Sequence, residues 1–253
     1  MLQKIVLRCS FTCEERASYN WGSIMHGVLM ELLPGDIVEI LHESILNPFS
    51  QYVIPISENE LEWHIGIWDN DFSNILIKAV LPLTQINLRH KGITLDVTSV
   101  NREIKSEEDF LAQFFAADNP CRRYRLEFVT PCTHKSGGEY VLFPSSRLIL
   151  QSLLMRFSAY SNSFTLEDEE VLSHLMEYTK IVHYSLRTAT FHLKDAGITG
   201  YIGRVILSVR GPEQLARLCG MLLSFAEYAG VGIKTSLGMG GCNVTPEYFR
   251  NKK

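Results

Sequence analysis

One stretch has the residue types of an anion site: residues 230–241, GVGIKTSLGMGG, five of whose twelve residues are glycine. Glycine lets the backbone take positive φ and lets a ligand approach bare amides closely. Successive amides of that kind form a concave nest for a phosphate. Gly232, Gly238, Gly240 and Gly241 are the candidate amides, Lys234 the candidate cation, and Thr235 and Ser236 the candidate hydroxyls. A flexible connector before a last strand is the alternative reading. The phosphate loop of nucleotide hydrolases, Gly-x-x-x-x-Gly-Lys-Ser/Thr, is absent, and no Gly-x-Gly-x-x-Gly follows a strand, so neither familiar nucleotide motif applies.

The second group able to do chemistry is a pair of histidines, His26 and His42. His26 lies at the edge of a helical apolar stripe, and His42 lies in the last turn of a short following helix. The negative end of that helix favours an imidazolium, which suits proton transfer near neutral pH. The chain has eight histidines, and for any one alone a structurally satisfied side chain is the competing explanation.

The third group is cationic. Net charge is −4, but the two halves differ. Residues 1–120 hold eight Lys and Arg against 17 Asp and Glu, whereas residues 121–253 hold 16 against 11. Such asymmetry suggests that the second half meets a polyanion. Arg122, Arg123, Arg125, Arg187, Lys194, Arg204 and Lys234 are the phosphate-contact candidates, although for each singly a solvated surface charge explains it as well.

Composition excludes other classes. The 253 residues are 46% hydrophobic, enough for packed cores. There is no run of about 18 apolar residues to cross a membrane. The first residues lack a secretory h-region, so a cytoplasmic protein is expected. The six cysteines include no Cys-x-x-Cys pair. Cys9 and Cys13 sit about 13 Å apart on a strand, too far for one zinc. Reduced, buried thiols are expected, with no metal and no cofactor.

The elements that must position these groups follow from periodicity. Residues 4–12 alternate as a half-buried strand, with Ile5, Leu7, Cys9 and Phe11 inward. A helix follows over 18–33, then a shorter one from Asp36, with Glu39 completing a capping box. Residues 49–56 and 61–68 read as strands. Residues 71–82 fit helix or strand equally, 91–100 is a strand, and 106–116 is a helix capped by Ser106. A boundary near Asp118-Asn119-Pro120 divides the chain into domains 1–120 and 121–253. Then come a strand over 123–130, a turn at Gly137-Gly138 and a helix opened by Phe143-Pro144 and running to 160. A hairpin with arms 183–193 and 200–209 turns at 194–197. A helix with Pro212 at its first position leads into the glycine stretch. Strand, helix, hairpin, helix, strand is the ferredoxin-like plan β-α-β-β-α-β. The expected fold is α+β, with two tandem ferredoxin-like, RRM-like domains. Such a sheet is a common RNA platform, though a fold alone carries no activity.

Three segments give a resemblance: GVGIKTSLGMGG, RLEFVTPCTHKSGGEYVLFPSSRLILQSLLMRF and HGVLMELLPGDIVEILHES. In these the chain resembles the CRISPR repeat-cleaving endoribonucleases of the RAMP superfamily. The resemblance implies metal-independent cleavage of precursor CRISPR RNA within its repeats. The 2′-hydroxyl would attack the adjacent phosphate, leaving a 2′,3′-cyclic phosphate and a 5′-hydroxyl. The family's general base corresponds to His42, with His26 in reserve. Some members add a lysine soon after the histidine and a tyrosine on the first helix. Here the first lysine after His42 is Lys78, and Tyr52, beyond the corner, is the tyrosine carried as a further catalytic candidate. The repeat RNA is the implied partner, and CRISPR effector subunits and a homodimer remain open. A RAMP subunit that binds CRISPR RNA without cutting it is the alternative.

Overall fold

Alternation in the first strand sets the first sheet. In β1 (Leu2–Ser10) Ile5, Leu7 and Cys9 are fully buried while Lys4, Val6 and Arg8 stay half-exposed. A slip of one residue would turn the whole apolar set to the other face, so the register is tightly specified. The computed structural model describes residues 1–161, 163, 169–193 and 196–248. After β1 come a 3₁₀ turn (Tyr19–Trp21), α1 (Gly22–Leu32), α2 (Gly35–Glu43), β2 (Phe49–Pro55), β3 (Glu60–Ile67), α3 (Asn70–Val80), β4 (Gln85–Leu88) and β5 (Ile93–Lys105). The strands form one antiparallel sheet in the order β2-β3-β1-β5-β4. This is the ferredoxin-like order with β4 added at the edge.

Three details resolve or depart from the sequence reading. Residues 71–82, ambiguous by pattern, are mostly α3. The Asp69 carboxylate accepts from Phe72 N at 2.7 Å, and Phe72, Leu76 and Val80 bury one helical face. Strand β4 is an addition to the expected elements, being only four residues long. Asp36 and Glu39 form no capping box: Pro34 holds the N-cap position of α2, and no side chain caps it.

Helix α4 (Glu107–Phe115) follows, its Asp109 N bonded to Ser106 Oγ at 2.9 Å as expected. The second sheet is built from β6 (Arg123–Cys132), β9 (Thr179–His192), β10 (Gly197–Val209) and β11 (Cys242–Pro246), in the order β11-β6-β10-β9. Strands β7 (His134–Ser136) and β8 (Glu139–Val141) make a separate hairpin. Helices α5 (Ser146–Tyr160), α6 (Glu169–Tyr178) and α7 (Glu213–Ala229) complete the domain. The chain is thus two tandem ferredoxin-like units. Helix α6 and the first residues of β9 escape the sequence reading. β9 is an edge strand that begins four residues before the expected arm, with Thr179 buried and residues 182–185 exposed. Pro212 occupies the N-cap of α7 rather than its first helical position. All six cysteines are free, five of them buried. No helix among the described residues is long and apolar enough to cross a membrane.

The two units meet along a seam. β2 is an edge strand, yet Phe49 to Val53 are all buried: Phe49 and Val53 lie in the first unit's core, Ser50 meets Tyr228 of α7, and Gln51 and Tyr52 meet the glycine stretch. The approach needs bare backbone. A Cβ on Gly238, at φ +115°, would lie 3.0 Å from Gly22 Cα, and one on Gly241 would lie 2.7 Å from the Tyr52 ring. Ser50 Oγ donates to Tyr228 O at 2.6 Å, and Lys4 pairs with Glu227.

Candidate active site at the domain seam

Most amides of the glycine stretch are already committed within the protein. Gly230 N, Val231 N, Ile233 N, Leu237 N, Met239 N and Gly240 N donate to backbone carbonyls, at 2.9 to 3.2 Å. Gly232 N donates to Ser152 Oγ and Gly241 N to Thr130 Oγ1. A nest needs several unpaired N–H groups converging on one point, and these eight are already bonded within the protein. Gly232, Gly238, Gly240, Gly241 and Thr235 are buried. They pack closely at the wall between the units. Lys234 is half-exposed, holds a left-handed conformation at φ 54° and makes no ion pair among the described residues.

What the stretch does build is a carbonyl acceptor. Ser236 O lies 3.0 Å from His26 Nδ1 and 2.9 Å from Gln51 Nε2. A carbonyl only accepts, so Nδ1 of His26 carries the proton, and in the neutral ring Nε2 keeps its lone pair. The ring stacks on Phe49 with centroids 6.2 Å apart. Burial holds the His26 pKa below the usual histidine value. The bond to Ser236 opposes this, and the charge of His42 adds to it. His42 therefore stands close enough to act electrostatically on His26. It is exposed in the last turn of α2. Asn47 Nδ2 donates to Ser236 Oγ at 3.1 Å, and Asn47 Oδ1 is buried without a partner. His26 of the first unit and Ser236 of the second thus meet at one corner, with His42 within electrostatic reach of His26.

Tyr52 is excluded from that chemistry. It is 8% exposed, its ring backs Gly241 and stacks on His64 at 4.7 Å, and burial pushes its hydroxyl pKa well up. Its part is packing. Behind the stretch lies a second polar group. Arg156, buried on α5, donates to Ser152 O and Gly232 O. Buried His134 lies 3.3 Å from Tyr201 Oη, its pKa pushed down to about 4 by burial and by Arg156.

The cationic candidates lie apart from this corner. Register places Arg123, Arg125, Arg204 and Arg187 on one face of the second sheet, the side turned away from its helices. Arg123 and Arg125 are both held by Glu247, and Arg122 donates to Gly211 O. Arg187 and Arg204 are exposed and make no ion pair among the described residues. Lys194 lies outside the described residues. Beside the corner a cleft of about 930 Å³ runs between α1 and the tip of the β9–β10 hairpin, lined by Ser23, Gly27, Lys91, His192 and Leu237. Among the described residues no three His, Cys, Asp or Glu side chains are grouped to hold a metal.

Gln51 and Asn47 are missed by sequence reasoning. The available signal is Ser50-Gln51, two polar residues in an otherwise apolar strand that also holds Phe49, Val53 and Ile54.

The sequence profile described as CRISPR-associated endoribonuclease Cas6 matches residues 126–242. A Mycobacterium tuberculosis protein described as CRISPR-associated endoribonuclease Cas6 is 34% identical over 233 residues, covering 91% of this chain and 74% of the relative. A Streptococcus thermophilus protein of the same description is 34% identical over 219 residues, covering 85% and 88%. Among solved structures, a Thermus thermophilus Cas6 product complex superposes with a TM-score of 0.79 at 21% identity, covering 97% of this chain and all of that one.

Proposed function

Because the chain belongs to the Cas6 family of CRISPR-associated endoribonucleases, we propose that it cuts precursor CRISPR RNA within its repeats by metal-independent attack of a ribose 2′-hydroxyl on the adjacent phosphate. The O2′–P bond forms, the P–O5′ bond breaks, and the products are a 2′,3′-cyclic phosphate and a 5′-hydroxyl. A base must take the 2′-hydroxyl proton and an acid must protonate the leaving 5′-oxygen.

The observation that carries this reading is the 3.0 Å contact between His26 Nδ1 and Ser236 O. It leaves Nε2 of His26 with a lone pair, and burial keeps the ring neutral. A neutral, oriented imidazole is a base. His42, exposed at the negative end of α2, is then the proton donor to the 5′-oxygen. This exchanges the roles that the family resemblance implied, in which His42 was the base. Lys234 supplies charge to the phosphorane, as the one cation of the glycine stretch. The RNA runs through the cleft beside α1, with Arg187 and Arg204 holding phosphates further along.

The test uses end-labelled repeat RNA in EDTA, with the 5′-oxygen at the cut replaced by sulfur in a second substrate. A thiolate leaves without help from an acid. The His42→Ala variant should fail on normal RNA and recover on the sulfur substrate, while His26→Ala should fail on both. Recovery of His26→Ala instead would return the base role to His42. A wild-type protein that binds repeat RNA and never cuts it would leave only the binding subunit.

A further inference from the structure

Gln51 is fully buried in β2, and its orientation admits one solution. Its Oε1 accepts from Trp63 Nε1 at 3.0 Å. An indole nitrogen only donates, so the amide cannot be turned the other way. The Nε2 group must then use both hydrogens on acceptors, and it does: Gly22 O and Ser236 O, each at 2.9 Å. Gly22 opens α1, the helix that carries His26. Ser236 O is the acceptor of the His26 Nδ1 proton. One side chain thus binds the start of the helix bearing His26 and the carbonyl that fixes that ring. With Gln51 and His26 both donating, the two lone pairs of Ser236 O are filled.

We infer that Gln51 is a positioning residue for the reaction, acting through His26 by setting the distance between α1 and the Ser236 carbonyl. The inference rests on the proposed role of His26 as base. Trp63, also fully buried, is the outer member of the relay, on β3. The chain of bonds runs from Trp63 to Gln51, to Ser236 O, to His26, and joins both units of the molecule. Without Gln51 the loop carbonyl and α1 are held only by the His26 bond, by Asn47 on Ser236 Oγ and by packing. A displacement of about 1 Å at a reacting group is enough to lower a rate about 100-fold.

The test has a spectroscopic arm and a kinetic arm. In ¹⁵N-labelled protein, long-range proton–nitrogen spectra report the tautomer of His26. The wild type should show the proton on Nδ1, and Gln51→Met should show a mixture. In single-turnover cleavage at saturating enzyme, Gln51→Met should cut about 10- to 100-fold more slowly, with the dissociation constant for repeat RNA within about twofold. In a His26→Ala background the same substitution should change the rate less than about twofold, because the residue it acts through is gone. Should Gln51→Met fail to fold, Trp63→Phe removes the orienting N–H while keeping an aromatic ring, and a smaller loss of the same pattern is expected. An unchanged His26 tautomer, or rate losses that multiply in the double variant, would overturn the inference. So would wild-type cutting by His26→Ala, an outcome that leaves the proposed reaction and His42 standing. Failure of the wild type to cut RNA would remove the reaction itself, yet the tautomer measurement would still decide whether Gln51 orients His26.

Discussion

The glycine stretch and the open face of the second sheet both look like phosphate sites in the sequence, and their polar groups are in opposite conditions. In the stretch, eight amides are bonded within the protein and five of the named candidates are buried. On the sheet face, Arg187 and Arg204 are exposed and without ion pairs among the described residues. Glycine clustering signals close approach of backbone, and the approaching body can be protein as readily as ligand. Here it is the first domain, which brings His26 to Ser236. On the proposed reading, geometry for the reaction and affinity for RNA lie on different surfaces.

The largest effect that tests this division is on rate. His42→Ala should slow single-turnover cleavage by about 10²- to 10⁴-fold while leaving the dissociation constant for repeat RNA nearly unchanged. A comparable loss of affinity would mean that the seam also binds.

A second test acts beneath the stretch. His134 has its pKa pushed down to about 4 by burial, against about 6.5 when unfolded. The unfolded chain therefore binds the extra proton first. Stability is fully present above about pH 6.5 and is lost as pH falls towards 4, by about 3 kcal/mol. His26 and His64, also lowered, contribute with the same sign. Denaturant midpoints across pH 7 to 4 should show the fall, and His134→Gln should flatten it.

The wall itself is open to a smaller perturbation. Gly240 sits at φ +68°, and a Cβ there would lie 1.9 Å from Val231 O. Gly240→Ala should lower stability by about 1–3 kcal/mol, read from urea unfolding. A neutral result would show that the stretch yields easily and does not set the seam.

The mildest effect belongs to the sheet face. Removing Arg187 and Arg204 together should weaken RNA binding and flatten its salt dependence by about 0.7 in log–log slope for each phosphate left without its arginine. The cleavage rate at saturation should hold. An unaltered slope would take the RNA off that face.

Much of the architecture is legible in the sequence. Both ferredoxin-like units can be read from β1, from the β2–β3 pair and from α7, since half-buried elements print their period on the chain. β4 cannot, because a four-residue edge strand has little period, and α6 and the start of β9 are not read from the chain either. The site divides in the same way. His26 and His42 stand out by residue type. Gln51 and Asn47 do not, because an amide acquires its role from partners more than 180 residues away in the chain, as Gln51 does with Ser236.

The residues able to do chemistry, and the repeated plan that carries them, are therefore written in the chain, because residue type and apolar spacing are local properties. Folding alone places the glycines against the first unit, buries Tyr52 against Gly241 and decides which nitrogen of His26 donates to Ser236 O. Each of those depends on which donor meets which acceptor across the seam, and hydrogen bonds between distant residues leave no period in a chain.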